Sequence, residues 1–433
     1  MMNYIWMGLI VSAVLYGAFA GTMAEVSRAS IDSATSSVTL AIGLIGAMAF
    51  WLGMMRIVRE AGLFHILARK LRPVMTWLFP DVPPDHPAMS AMIMNVAANM
   101  LGLANAATPF GIKAMIELNR LNPVPGVATN AMVLFLAINT SNVALFPLGV
   151  IALRAAAGSD NPGGIWIPTL LATTFSTAVG ILAAKTLQRF VAPVEAYAAD
   201  ESAGEAALVE GPEASDLGGR PEATASGRWL PLAFVAAIAI AASWTIADGL
   251  AGGTGFGEIA RTMISDWLLP VLIGLILCFG FSRRVSVYDA AIAGAREGFE
   301  VAVRIIPYLV AILVAVGMLR ASGLLGAFIE LVGPWTSAVG LPAEALPMAL
   351  LRPLSGSGAY AVMAEIMQSQ GPDSHVGYLV STLQGSTETT FYVLAVYFGA
   401  AGVSKIRHAL AAGLIADVAG VIGAVVAVAL LLG

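Results

Sequence analysis

The chain is poor in charge. Of its 433 residues 11% are Asp, Glu, Lys or Arg and 58% are hydrophobic, and mean hydropathy is +0.83. Soluble globular chains carry about 25% charged residues, so a water-facing surface cannot be furnished here. A soluble enzyme and a disordered chain are excluded. A basic excess is missing too: the net charge is −5, whereas a general nucleic-acid binder needs a basic face. There is one cysteine, Cys278, which excludes a disulfide framework and a cysteine-based metal cluster. The four histidines, His65, His86, His375 and His408, show neither H-E-x-x-H nor i,i+4 spacing, so no metal site is expected. Any Ser–His–Asp set would have to be assembled arbitrarily. A membrane-embedded enzyme is therefore the least favoured reading, and no cofactor is expected.

What abounds is apolar sequence in lengths that cross a bilayer. A spanning helix needs about 20 mostly apolar residues. Residues 3–21, 38–55, 165–187, 229–248, 266–282, 302–319 and 408–432 meet that need. The stretch 3–21 lacks a basic start and an A-x-A site, so it reads as a first span rather than a signal peptide. Residues 22–37 and 286–301 are amphipathic, with Glu25, Arg28 and Asp32 in one and Asp289, Arg296, Glu297 and Glu300 in the other. Both are expected to lie along the membrane surface.

Residues 193–227 differ from everything around them. They hold eight acidic residues and one basic residue, Arg220, among Ala, Gly, Ser and Pro. Such a segment cannot bury a core and reads as a flexible acidic linker. It divides the chain into halves, 1–192 and 228–433. Lys185, Arg189 and Arg228 flank it, and Arg283 and Arg284 come two spans later. Positive residues stay on the cytoplasmic side, which puts the linker in the cytoplasm.

The halves resemble each other. REAGLF at 59–64 parallels RASGLL at 320–325, and Pro73 then matches Pro334. Each is followed by an interrupted hairpin-like segment, centred on NMLGLANAATPFG (99–111) and RPLSGSGAYAVM (352–363), and then by an interrupted span, 136–158 and 381–402. Breaking a helix in hydrocarbon frees backbone groups that cost several kcal/mol each if unpaired. Paired breaks in two halves point to a midplane binding site in a secondary transporter.

The polar residues concentrate at these breaks. Asn95 and Asn99 share a helix face. Asn105 and Thr108 follow where Gly102 and Pro109 disfavour a continuous helix, so the chain is expected to turn back there, with Lys113 on the returning arm. Asn139, Thr140, Ser141 and Asn142 are four polar residues in a row. They cannot all bond back to their own helix on one face; they line a polar site or glue the bundle. In the second half Arg352 precedes Ser355 and Ser357, and Gln384, Ser386, Thr387, Glu388 and Thr389 interrupt the next span. A carboxylate at the centre of a span costs about 2.5–3.5 kcal/mol on insertion scales, so Glu388 is a functional candidate by default. It is read as a substrate, cation or proton site with Arg352 as counter-charge; a purely structural pair is the alternative. Asp417, in GLIADVAG, reads first as structural or interfacial, and second as a proton site.

These residues carry a resemblance. The runs HPAMSAMIMNVAANMLGLANAATPFGIKAM (86–115) and ATNAMVLFLAINTSN (128–142) resemble the spore maturation protein A family. LLRPLSGSGA (350–359), GPDSHVGYLVSTLQGSTETTFYVLAVYFGAAG (371–402) and GLIADVAG (413–420) resemble spore maturation protein B. The chain looks like a fusion of the two through the acidic linker, with 229–248 as an addition that restores topology. Members of this family carry the nucleoside recognition, or Gate, domain, also assigned to concentrative nucleoside transporters and ferrous-iron permeases. The resemblance implies a multi-pass protein of the bacterial inner membrane with paired re-entrant hairpins, each followed by a partly unwound helix.

The expectation is thus an all-α polytopic membrane protein of two pseudo-symmetric halves, inverted by analogy with transporters. Hairpin tips 99–109 and 353–358 are expected to approach each other, with Asn139–Asn142 and Gln384–Thr390 completing a polar chamber. Its partners are the lipid bilayer and a small polar, nucleoside-like solute, with a coupling cation; no nucleic acid is expected, and a homo-oligomer is compatible with this picture. The rivals are a non-transporting factor for spore or envelope maturation and an ion channel.

Overall fold

The computed structural model describes residues 2–102, 104–197, 229–253 and 255–432. Beyond Tyr197 the acidic linker lies outside the described residues. The first half comprises α1 (Met2–Ala20), α2 (Met23–Glu60), α3 (Leu63–Leu78), α4 (Pro87–Met100), α5 (Ala104–Arg120), α6 (Asn130–Ser141), α7 (Leu148–Ala156) and α8 (Trp166–Leu187). After α9 (Trp229–Ala251) come α10 (Phe256–Ser282), α11 (Val287–Ala321), α12 (Leu324–Ser337), α13 (Leu346–Leu351), α14 (Gly356–Gln370), α15 (His375–Ser386), α16 (Thr390–Ala400) and α17 (Ala409–Leu432). The protein is an all-α polytopic membrane protein. Pro162–Leu187, Trp229–Ala251 and Ala409–Leu432 are long and apolar enough to cross a bilayer as unbroken helices.

The repeat is structural. A long helix (α2, α11) ends at a glycine in the left-handed region, Gly62 with φ 75° and Gly323 with φ 86°. Only glycine enters that region without Cβ strain, so the corner that starts α3 and α12 is written in the sequence. A hairpin follows (α4–α5, α13–α14), then a broken helix (α6–α7, α15–α16), then an unbroken one (α8, α17). Equivalent helices pack against each other and run antiparallel. In the α2–α11 pair Gly53 lies against Ala291 and Gly317 against Ser33. In the α8–α17 pair Gly180 meets Ala416 and Gly423 meets Ala172. The two halves are therefore inverted, related by a pseudo-two-fold axis perpendicular to the helices. Between the halves lies α9, long and apolar enough to cross a bilayer and without a counterpart in the first half.

Packing follows membrane rules. Along α17, Leu414, Val418, Ile422, Val426 and Leu430 are exposed, while Ala412, Ala416, Ala419, Gly423 and Ala427 are buried. Spacing by three or four residues puts each set on one face. The large side chains look outward, and the small ones let backbones approach closely.

Two expectations change. The segments 22–37 and 286–301 are not separate surface helices; they are the first turns of α2 and α11. Each packs against the far end of the other, with Glu297 bonded to Arg56 and to Arg59, so their charges meet across the pair. The first hairpin turns at Gly102, φ +72°, and Thr108 and Pro109 lie inside α5. Gly102 supplies the positive φ that the turn needs, and the helix absorbs Pro109.

Candidate functional site

The two broken helices cross where their breaks meet. The break after α6 spans residues 142–147 and the break after α15 spans 387–389. Each hairpin tip is bonded to the break of its own half: Leu145 N–H donates to Met100 O at 2.9 Å, and Phe391 N–H donates to Pro353 O at 3.2 Å. The halves are joined across the breaks themselves, where Glu388 N–H donates to Thr140 O at 2.7 Å.

In the first half Asn99 Nδ2 donates to Asn139 Oδ1 at 2.9 Å. Asn95 Nδ2 donates to Ala107 O, closing the hairpin, and to the Tyr397 hydroxyl of the other half at 3.1 Å. Three of the four consecutive polar residues do bond back to their own helix. Asn139 Nδ2 donates to Phe135 O, and Thr140 and Ser141 both donate to Ala137 O. They can do so because a carbonyl has two lone pairs. Asn142 caps α6 and is buried. Thr108 is half-buried on α5, and the side chain of Asn105 lies outside the described residues.

In the second half Arg352 sits at the hairpin break and is buried. Its Nε donates to Gln384 O at 3.1 Å, Nη1 to Thr389 Oγ1 at 3.1 Å, and Nη2 to Thr387 O. The guanidinium fork thus occupies the carbonyls that the end of α15 would leave orphaned. Glu388 Oε2 lies 3.7 Å from Arg352 Nη2, and 49% of the Glu388 side chain is accessible. The structure brings these two charges together without sealing the carboxylate. Ser355 caps α14, accepting from Gly358 N–H at 3.1 Å; Ser357 is half-buried in the first turn. Ser386 donates back to Leu383 O.

Several polar atoms near the crossing are buried with no hydrogen-bond partner: Asn95 Oδ1, Gln384 Oε1, Asp417 Oδ1 and Thr169 Oγ1. An unsatisfied buried acceptor costs about 1–3 kcal/mol. Among the described residues no group of three or more His, Cys, Asp or Glu is placed to hold a metal ion.

Sequence reasoning missed some of the network. Tyr397 joins Asn95 and Asn139 but sits in an apolar, aromatic-rich helix where it does not stand out. On α8, Thr169, Thr173, Ser176 and Thr177 are buried; Thr173 Oγ1 accepts from Ala144 N–H, Ser176 donates to Ala416 O and Thr177 to Ser141 O. Their spacing along one helical face was a legible signal. Arg154 was also missed. Its side chain is fully buried, and Nη2 donates to Asp373 Oδ1 at 2.7 Å, while Nη1 donates to Pro372 O and Ser381 Oγ. It clamps the halves at the end of α7.

Residues 41–192 and 302–404 match the family described as Gate, nucleoside recognition. Spore maturation protein A of Bacillus subtilis (strain 168) is 44% identical over 176 residues, covering 41% of this chain and 90% of that protein. Spore maturation protein B of the same organism is 45% identical over 174 residues, covering 39% of this chain and 98% of that protein. No solved structure matches. The family match spans more than half of the sequence and takes in both hairpins and both breaks: the chain belongs to the nucleoside recognition, or Gate, family of membrane proteins.

Proposed function

We propose that the protein is a secondary transporter of a small polar, nucleoside-like solute, which binds where the two breaks cross. The observation that carries this reading is the pair of buried amide acceptors, Asn95 Oδ1 and Gln384 Oε1, which have no hydrogen-bond donor. A solute rich in hydroxyl and N–H donors, as a nucleoside is, would recover about 1–3 kcal/mol at each. Glu388, accessible at the same crossing, is the group that meets the solute or a coupling cation. Asn99, Asn139–Asn142, Arg352 and Thr387–Thr389 shape the site. The description of the Gate family supports the solute class. The inverted halves support alternating access by one unit rocking against the other.

Sidedness follows from charge. Lys185 stacks on Trp77 of α3, and Arg407 bonds to Ala192 O, so the linker begins on the face that also carries Arg56, Arg59, Arg72 and Arg120. The opposite face carries few basic residues, and Arg154 and Arg320 there are ion-paired. The positive-inside rule favours the bacterial inner membrane with the linker in the cytoplasm.

The test is a thermal-shift screen of the purified chain against nucleosides, small acids and dipeptides, with and without sodium. Binding stabilises by mass action. A hit that raises Tm in the wild type and not in Asn95→Ala or Gln384→Ala is expected. A second reading, a non-transporting factor for spore or envelope maturation, is favoured by the names of both relatives. No hit, together with stoichiometric capture of a protein partner, would replace transport with it.

A further inference from the structure

The last helix carries a carboxylate that the solute site does not use. Asp417 lies in α17, 5% exposed. Thr390 Oγ1 donates to its Oδ2 at 2.7 Å, Thr387 approaches the same carboxyl, and Oδ1 is buried with no hydrogen-bond partner. Arg352 acts on it electrostatically. That guanidinium is already committed to Gln384 O, Thr387 O and Thr389 Oγ1, with Glu388 at 3.7 Å.

The helices packed against α17 are α6, α8, α15 and α16. α6 brings no titratable side chain and α8 only Lys185, near its end. α15 brings His375 and Tyr378 in its first turn, and α16 brings Tyr392 and Tyr397. The charges around the second break are therefore Arg352, Glu388 and Asp417, one positive and two acidic. With both acids ionised the cluster is net negative at a depth where charge is costly. One proton makes it neutral.

We propose that Asp417 is a proton-binding site and that its proton is the coupling ion of the crossing. The carboxylate takes one proton from water on Oδ1, becoming a neutral carboxylic acid, and returns it to water; no other bond forms or breaks. Thr390 is the first residue of α16, so the carboxyl is tied to the break itself. Ionised Asp417 competes with Glu388 for Arg352; protonated Asp417 leaves Arg352 to Glu388 and the solute. Coupling rests on the transport reading above, whereas protonation does not.

Infrared difference spectroscopy of the full chain in phosphatidylcholine vesicles, titrated upward from near-neutral pH, where exposed carboxyls are already ionised, with no solute, reads the carbonyl stretch of a buried protonated carboxylic acid. The expected band is lost at alkaline pH and shifts in D2O. It is absent in Asp417→Asn, lost at lower pH in Glu388→Gln, where one acidic charge fewer faces the site, and the same in sodium and choline chloride. If the asparagine variant does not fold, Asp417→Glu keeps a carboxyl, and a displaced band is expected. No band in the wild type, or a band unchanged in Asp417→Asn, overturns the proposal. So does a band abolished by sodium at constant pH, which would make the site a sodium site. A second arm follows proton uptake by the same vesicles on adding uridine or adenosine. An intact band without uptake overturns the coupling and leaves the proton site standing.

Discussion

The backbone N–H of Glu388 donates to the carbonyl of Thr140 across 2.7 Å. One residue belongs to the break of the second half and the other to the last turn of α6 in the first. Two helices interrupted at matching stations thereby satisfy part of each other's freed backbone. The bond fixes the crossing, and the side chains that stay unpaired are gathered around it.

Arg352 supports the second break. Arg352→Met would remove three donors from two carbonyls and a hydroxyl. Hydrogen bonds to charged groups contribute about 1.5–3 kcal/mol each, and groups that act together do not add. A net loss of about 3 kcal/mol is expected, with Arg352→Lys intermediate because a point charge cannot reproduce the fork. Thermal melting in detergent measures both. A melting temperature unchanged in Arg352→Met would mean that the break stands without it.

Arg154 and Asp373 clamp the halves on the other side. The arginine side chain is fully buried and the aspartate about one-third exposed, so the pair lies between surface and buried cases. Asp373 Oδ1 also accepts from Ser159 Oγ, and Oδ2 from Asp160 N–H. Asp373→Ala is expected to cost about 2–3 kcal/mol, and a double-mutant cycle with Ser159→Ala to show coupling. Additive effects would mean that Ser159 is not part of the clamp.

Much of this was legible in the sequence, for a physical reason. Breaks in an apolar span must be made of residues that disturb a helix, and Asn139–Asn142 and Gln384–Thr389 stand out against Ala and Leu. The αL corners were legible because Gly62 and Gly323 recur in the same hexapeptide frame. The depth of the first turn was not: Pro109 looks like a breaker, yet the helix tolerates it and Gly102 makes the turn. The partners of Asn95 were hidden as well. Tyr397 comes from the other half, 302 residues away, and one tyrosine among the apolar and aromatic residues of α16 sends no signal. Arg154 was hidden for the same reason: its partner Asp373 lies 219 residues away in the other half.

The glycine corners give a local test. Gly62→Ala and Gly323→Ala each place a Cβ in the left-handed region, at about 1–2 kcal/mol. Both are expected to lower the melting temperature by similar amounts, since the corners are equivalent. A loss at only one of them would argue against equivalent corners.

Sidedness is tested by labelling. In a Cys278→Ser background, a cysteine replacing Ser215 in the linker is expected to react with an impermeant maleimide only after the inner membrane is opened. Ser159→Cys, at the opposite face, is expected to react in intact spheroplasts. The reverse pattern would turn the protein over in the membrane.

Ser357 is half-buried at the second hairpin, and its neighbour Gly356 lies against Thr389 at the break. Ser357→Cys in the same Cys278→Ser background changes one oxygen to sulfur. The decisive measurement is its rate of reaction with a water-soluble methanethiosulfonate, with and without each nucleoside, small acid and dipeptide of the panel. A crossing that holds a solute gives a reactive thiol that one class of compound protects, with protection abolished by Gln384→Ala. A thiol that no compound protects, or that water-soluble reagent never reaches, would contradict a solute site between the two breaks.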